Sequence, residues 1–205
     1  SAAIERHRIR TSFVQRLPLA TTHYRRYLPL FPTAIEQFNL DGYDLVISSS
    51  HCAAKSVVVP GRAWHICYCH SPMRYAWDQF DEYFGPARVG RMASRWVYRP
   101  LLARLARWDA ATASRVHRFV ANSAYVAGRI RRYGALLRRG CAVRKNWSWI
   151  EEHLSAFADR TRQAGCRVAV AAGLLGLAIS AISAARADDP LRISITEGHT
   201  LNEFY

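Results

Sequence analysis

Two histidines stand where short apolar segments of the chain end in small polar residues. The segment 43–50 (YDLVISSS) runs into His51, and the segment 64–69 (WHICYC) runs into His70. An imidazole titrates near neutral pH and donates a hydrogen bond from either ring nitrogen, so His70 can orient a sugar hydroxyl or a phosphate oxygen. A loop histidine bonded to the backbone is the competing interpretation, and the spacing alone leaves both open.

The same region is rich in metal-ligating residue types, but their spacing does not suit a metal. Cys67 and Cys69 are separated by one residue, where zinc knuckles use two. Alternation along a strand also sends His65, Cys67 and Cys69 to one face and His70 to the other. We therefore predict buried free thiols, no metal and no cofactor.

Two other catalytic patterns are excluded by the residues around them. The run from Gly85 to Gly90 has the glycine spacing of a Walker A loop, but Arg91 and Met92 follow where Lys and Ser or Thr are needed. No nucleophile elbow of the form G-x-S-x-G occurs, which argues against a serine hydrolase.

Alternating strand and helix patterns must position the two histidines. Apolar runs predict strands over 43–50, 64–69 and 116–121. Periodic apolar and aromatic residues predict helices between and after them, with Ser123 as the N-cap of a helix over 124–133. This alternation predicts an α/β fold, a Rossmann-like parallel sheet flanked by helices.

The carboxyl ends of the three predicted strands are small and polar. They read Ser48-Ser49-Ser50-His51, Cys69-His70-Ser71-Pro72 and Ala121-Asn122-Ser123. In open parallel sheets, ligands bind beyond the carboxyl ends of the strands. The sequence therefore predicts a binding site at this edge of the sheet.

The composition is that of a folded and strongly basic chain. Of 205 residues, 50% are hydrophobic and 21% are charged, which excludes a disordered or collagen-like protein and fits one domain or one and a half small ones. The 29 Lys and Arg against 15 Asp and Glu give a net charge of +14, which favours nucleic acid, anionic lipid or phosphorylated small molecules as partners. Five cysteines without the spacing of a secreted scaffold favour a reduced, cytosolic protein, and residues 1–10 show no signal-peptide pattern.

One stretch concentrates this charge beside aromatic side chains. Its interleaved members are Arg88, Arg91, Arg95, Trp96, Tyr98, Arg99, Arg104, Arg107 and Trp108. Such a helical stretch can lie on anionic lipid, contact the phosphates and bases of nucleic acid, or remain a solvated basic face. Nucleic acid is the least favoured of the three, and the other two stay open.

The sequence changes character after Gly134. A capping box predicts a helix over 148–160. The segment 168–187 follows a stretch of basic residues and ends in an A-x-A site. This is the pattern of a secretory signal peptide. A membrane anchor and a buried or poorly ordered helix are the alternatives. We therefore predict a domain over 1–134 and a helical tail over 135–205.

Five segments together resemble the N-terminal half of bacterial family-4 glycosyltransferases, most of all the mannosyltransferase-like members. They are RTSFVQRLP (10–18), HYRRYLPLFPTAIE (23–36), YDLVISSSH (43–51), HICYCHSPMRYAWD (65–78) and VANS (120–123). The match runs in order from Ile4 to Tyr133.

The resemblance implies a GT-B hexosyltransferase that transfers a sugar, such as mannose, with retention and without a divalent metal. The donor would be a nucleotide-sugar, and the acceptor a cell-surface polysaccharide or a lipid-linked glycan. His70 matches the family histidine that contacts the donor sugar, which makes it the expected catalytic residue. The expected substrate-binding residues are Ser49, Ser50, His51, Ser71, Arg74, Tyr75, Asn122 and Ser123. The expected location is the cytoplasm, peripheral on the inner membrane, with a tail that anchors the chain or resembles a signal peptide.

Departures from the family pattern bear on activity. The family's first strand and glycine-rich loop do not precede the matched segments, and its donor-binding domain does not follow Gly134. We therefore expect an incomplete GT-B N-terminal domain with an unpaired sheet edge, encoded by a truncated or frame-disrupted gene and with little or no activity alone. A basic module that binds anionic membrane or nucleic acid without catalysis is the alternative function. The segment DDPLRISITEG (188–198) is similar to the mature start of the periplasmic β-propeller protein of the Tol-Pal system.

Overall fold

The strands of the molecule form one parallel sheet, in a computed structural model that describes residues 8–133, 142–144, 168–172 and 192–195. The sheet order is β1-β7-β6-β2-β3-β4-β5, and each neighbouring pair is parallel. The strands are β1 (Arg8–Arg10), β2 (Leu45–Ser50), β3 (Trp64–Cys69), β4 (Arg118–Ala121), β5 (Ala142–Arg144), β6 (Val168–Ala172) and β7 (Arg192–Ile195). With helices flanking the sheet, the predicted α/β fold is confirmed.

The three strands predicted from apolar runs lie side by side as β2, β3 and β4. Every residue of β2 is buried, as expected for a strand covered on both faces of a parallel sheet. The third strand is shorter than predicted, because Val116 and His117 precede the pairing that begins at Arg118.

Short helices and turns connect the strands. The helices are α1 (Ala20–His23), α2 (Phe31–Glu36), α3 (Arg74–Trp77), α4 (Phe80–Phe84), α5 (Pro86–Val89), α6 (Arg91–Ala93), α7 (Arg99–Thr112) and α8 (Ala124–Tyr133). A π-helical turn, Ser94–Tyr98, joins α6 to α7. Turns of 3₁₀ helix occur at Phe13–Arg16, Tyr24–Leu30, Ala54–Ser56 and Ala113–Arg115.

A serine and a proline affect the start of α8 and the course of α7. The Ser123 hydroxyl accepts a hydrogen bond from the Val126 backbone N–H at 3.2 Å, so the predicted N-cap of α8 is confirmed. Pro100 follows the π-helical turn Ser94–Tyr98 without a break in the helix, and because it has no N–H it cannot make the backbone hydrogen bond of that position.

Apolar side chains on α7 and α8 hold these helices against the rest of the domain. On α8, Val126 and Ile130 pack with Phe119 of β4. On α7, Leu102 and Leu105 are 2% and 3% exposed and join a second cluster. Full burial of each such side chain stabilises the fold by about 1.5–3 kcal/mol.

The segment that starts at Val168 begins as a strand. Val168–Ala172 form β6, which pairs with β2 on one side and β7 on the other, so this part of the tail is not helical. This pairing covers one edge of β2, because a short run of small and β-branched residues suits a central parallel strand. The predicted helix 148–160 and the remainder of the segment 168–187 lie outside the described residues.

Candidate active site at the carboxyl edge of the sheet

The predicted strand ends meet at one edge of the sheet. In register, Ser50 of β2 lies opposite Cys69 of β3, and Cys69 lies opposite Ala121 of β4. The residues that follow are tied to the neighbouring strand, because His70 N–H donates to the Ser50 carbonyl at 2.8 Å. The edge thus brings together His51, His70 and Asn122, and we call it the rim.

The His70 side chain is half-buried at the rim and held from two sides. Its Nε2 lies 2.9 Å from the Ser49 hydroxyl, and the Tyr68 ring meets it edge-on with centroids 4.9 Å apart. Burial lowers the pKa of His70 below its ordinary value of 6.5, and repulsion from His51 lowers it further. The ring is therefore neutral at neutral pH and can both donate and accept a hydrogen bond.

His51 and Arg74 bring a second imidazole and a positive charge to the rim. His51 is 9% exposed, and burial lowers its pKa to about 4, with a smaller contribution from the positive charge of Arg74. Arg74 opens α3 and is half-buried. At neutral pH this part of the rim therefore carries charge on the guanidinium and not on the imidazole.

Four of the predicted binding residues, Ser49, Ser50, His51 and Tyr75, are buried. Ser50 is 1% exposed, and its hydroxyl accepts a hydrogen bond from the Lys55 backbone N–H at 3.2 Å. Tyr75 is 7% exposed and packs edge-on against Tyr83 with centroids 5.5 Å apart. Both side chains stabilise the loops that carry the rim, whereas Asn122 is exposed and Ser123 is half-buried as the cap of α8.

Ser71 takes part in a contact with α8 that the sequence did not predict. Its hydroxyl accepts a hydrogen bond from Arg129 Nη1 at 2.7 Å and donates to the Pro72 carbonyl at 2.8 Å. Arg129, 8% exposed, also forms an ion pair with Asp78, which accepts a further hydrogen bond from the Tyr133 hydroxyl. The sequence signal for this buried contact was an arginine placed between the apolar residues Val126 and Ile130 of one helix.

A buried polar layer behind the rim was also missed. Lys55 Nζ lies 2.9 Å from Asp109 Oδ1 and donates to the Asp109 carbonyl at 2.7 Å, with both residues at most 5% exposed. Trp77 Nε1–H donates to Asp109 Oδ2 at 2.9 Å. An acidic residue on the apolar face of α7 was the only sequence signal for this layer.

His65, the second residue of β3, belongs to the same buried polar layer. Its Nδ1–H donates to the Arg115 carbonyl at 3.1 Å, which assigns Nε2 as the acceptor from the Ser48 hydroxyl at 2.9 Å. The ring is fully buried, and burial lowers its pKa to about 3, against the opposing effect of the Arg115 hydrogen bond. His65 is a neutral structural residue.

The cysteines of the described residues are free thiols, as predicted: Cys52, Cys67 and Cys69 are all buried. In the same part of the chain, no three His, Cys, Asp or Glu side chains come together as a metal site would need. None of the helices described there has the length and apolar character to span a membrane.

Comparison of the chain with protein-family models, with curated proteins and with solved structures gives no match. The resemblance to family-4 glycosyltransferases and the resemblance of residues 188–198 to the Tol-Pal protein therefore stay predictions. What the geometry offers is a neutral imidazole, hydroxyl groups and a guanidinium at the edge where parallel sheets bind ligands.

Proposed function

We propose that the rim is the acceptor-side wall of a sugar-transfer cleft in a GT-B N-terminal domain. The reaction would be retaining transfer of a hexose from a nucleotide-sugar to a lipid-linked or polysaccharide acceptor. Mannose is the first donor sugar to test, because the resemblance is strongest to mannosyltransferase-like members.

The convergence of three strand ends around a positioned imidazole carries this proposal. Position alone does not make His70 functional, but a half-buried ring held at Nε2 by Ser49 has a fixed orientation and still meets solvent. A fixed hydrogen-bonding group costs no reorganisation when charge develops on the substrate.

The proposed roles follow from the protonation states at neutral pH. The neutral His70 ring hydrogen-bonds a hydroxyl of the transferred sugar, and Ser49 positions it. Arg74 supplies positive charge for phosphate oxygens, since guanidinium groups form strong charge-assisted hydrogen bonds to phosphate. His51 stays neutral and so adds no second positive charge beside Arg74.

The same proposal has consequences for location. A lipid-linked acceptor is presented at a membrane surface, and nucleotide-sugars are made in the cytoplasm. We accordingly propose a cytoplasmic chain that works peripherally at the inner membrane.

The decisive experiment measures acceptor binding, because binding to one wall does not need the donor domain. The 205-residue chain is titrated with a short-chain lipid-diphosphate glycan and binding is followed by saturation-transfer NMR. Arg74→Gln should bind this acceptor about tenfold more weakly, because it loses a charge-assisted hydrogen bond to a diphosphate oxygen of about 1.4 kcal/mol. Arg26→Gln is the matched control, since Arg26 is an exposed arginine in the turn Tyr24–Leu30 and is not a residue of the rim.

The outcomes separate the proposal from its rival. No acceptor binding at millimolar concentration, or equal binding by Arg74→Gln and the native chain, would falsify the acceptor wall. If product forms when a nucleotide-sugar is added, the anomeric configuration read by NMR must be retained, and an inverted product contradicts the proposed reaction.

A further inference from the structure

The stretch around α6 and the π-helical turn exposes large apolar side chains. Met92 is 72% exposed, Trp96 is 65% and Val97 is 56%. Contiguous exposed side chains of this kind mark interaction sites far more often than single ones do. They lie within six residues of sequence, and Met92 and Trp96 are one helical turn apart.

Positive charge surrounds these apolar side chains without acidic residues in the same stretch. Arg88, Arg91 and Arg95 are exposed, and no Asp or Glu occurs between Pro86 and Trp108. The Arg95 guanidinium lies over the Trp96 ring at 5.3 Å, so charge and aromatic surface are presented together. We call the six residues 88, 91, 92, 95, 96 and 97 the basic apolar face.

Arg99, which follows the basic apolar face in the sequence, has a structural role by contrast. Arg99 points back to the protein, where it lies 3.5 Å from Asp81 and covers the Phe80 ring at 4.6 Å. The described contacts of Arg95 include only its neighbouring ring, and the face as a whole is turned to solvent.

We propose that the basic apolar face docks on the surface of an anionic phospholipid bilayer. Trp96, Val97 and Met92 would enter the boundary between headgroups and acyl chains, while the arginines contact lipid phosphates. This combination favours lipid over nucleic acid, because Met92 and Val97 offer no group that stacks on bases or bonds phosphate. The inference does not depend on sugar transfer and would hold for a chain with no catalytic function.

Vesicle binding by the full 205-residue chain tests the proposal. Vesicles of phosphatidylcholine alone are compared with vesicles containing about one-third phosphatidylglycerol, and bound protein is measured by co-sedimentation. The chain should bind the anionic vesicles and release them in about 0.5 M salt, where the Debye length falls to a few ångströms.

Two variants separate the apolar and the electrostatic parts. Trp96→Ser with Val97→Ser should weaken binding to anionic vesicles about tenfold, since buried apolar area is lost. Arg91→Gln with Arg95→Gln should weaken it by at least about tenfold, since two phosphate contacts are lost. All four positions are exposed, so circular dichroism should show the same fold and melting temperature as the native chain.

Matched controls come from α8. Tyr125 is 73% exposed, and Arg131 and Arg132 are exposed. Tyr125→Ser, and Arg131→Gln with Arg132→Gln, should keep binding within about twofold of the native chain if α8 stays outside the lipid contact.

Three results would overturn the proposal. The first is equal binding to neutral and anionic vesicles. The second is an equal loss of vesicle binding in the variants of the basic apolar face and in the α8 controls. The third is tighter binding to duplex DNA than to anionic vesicles, unchanged by the Trp96 and Val97 substitutions. The last result would make the face a nucleic-acid surface. The vesicles hold no glycan or nucleotide, so none of these results reports on the proposed sugar transfer.

Discussion

The Nε2 atom of His70 lies 2.9 Å from the Ser49 hydroxyl, although the two residues are 21 positions apart in the chain. Parallel pairing of β2 with β3 creates this contact, since Ser49 lies opposite Tyr68 in the register and His70 follows one residue beyond the end of β3. The imidazole at the rim is therefore positioned by the sheet itself. Its protonation state is the first property to measure.

The first prediction concerns the titration of His70. Burial lowers its pKa below 6.5, so the ring should lose its proton at a lower pH than an ordinary histidine. Histidine ring signals followed by NMR against pH give the midpoint, and the signal missing from His70→Gln identifies the residue. A midpoint at or above 6.5 would show that the ring is not buried as described.

The second prediction concerns acid stability. Burial lowers the pKa of His51 to about 4 and that of His65 to about 3 in the folded chain, so the unfolded chain takes up both protons first as the pH falls. The stability they contribute is present above about pH 6.5 and is lost as the pH falls toward the folded values. Between about pH 7.5 and pH 5 the loss should be about 2 kcal/mol for each histidine.

Urea unfolding at the two pH values checks this expectation. His51→Gln and His65→Gln should each make the difference between the two free energies of unfolding smaller by about 2 kcal/mol. The readout is that difference, so a variant that is less stable at both pH values is still informative. An unchanged difference in both variants would rule out neutral buried rings.

The third prediction concerns the buried ion pair of Lys55 and Asp109. Asp109→Asn leaves the Lys55 ammonium buried without its counter-charge, which should cost about 3–5 kcal/mol. Asp81→Asn is the matched control, because Asp81 pairs with Arg99 at 3.5 Å with both side chains mostly exposed, and the loss should be below about 1 kcal/mol. Urea unfolding at pH 7.5 compares the two variants. Similar small losses in both would contradict the buried pair.

The fourth prediction concerns Arg129. Arg129→Leu removes the contacts with Ser71 and Asp78 and should lower the free energy of unfolding by about 1–3 kcal/mol. Arg132→Leu, at an exposed position on the same helix, should change it by less than about 0.5 kcal/mol. Chemical denaturation distinguishes the two, and equal effects would mean that Arg129 does not hold the Ser71 loop.

The fifth prediction concerns β6. Val170 lies opposite Ile47 of β2 and Ile193 of β7, so its backbone is inside the sheet. Val170→Pro removes a ladder N–H and should destabilise the chain by about 3 kcal/mol or more. Val170→Ala keeps the backbone and is the control. If thermal unfolding shows that Pro and Ala have the same effect, then β6 is not a central strand in solution.

Local patterns in the sequence determined the elements that carry the rim. Strands β2 and β3 follow from apolar runs, and the Ser123 cap of α8 follows from a hydroxyl at a helix start. Both signals act over a few residues. The chemistry of the rim followed too, because the carboxyl ends of parallel strands share one edge.

Tertiary structure alone decided the contacts between distant segments. Lys55 meets Asp109 across 54 positions, Arg129 meets Ser71 across 58, and β6 inserts between β2 and β7. Hydrophobic periodicity reports which face of an element is buried and says nothing about which distant side chain shares that burial. The pairing of charges and the choice of strand neighbours are settled by the free energy of the whole packed arrangement, since a buried charge or an open strand edge is costly until a partner from elsewhere in the chain satisfies it.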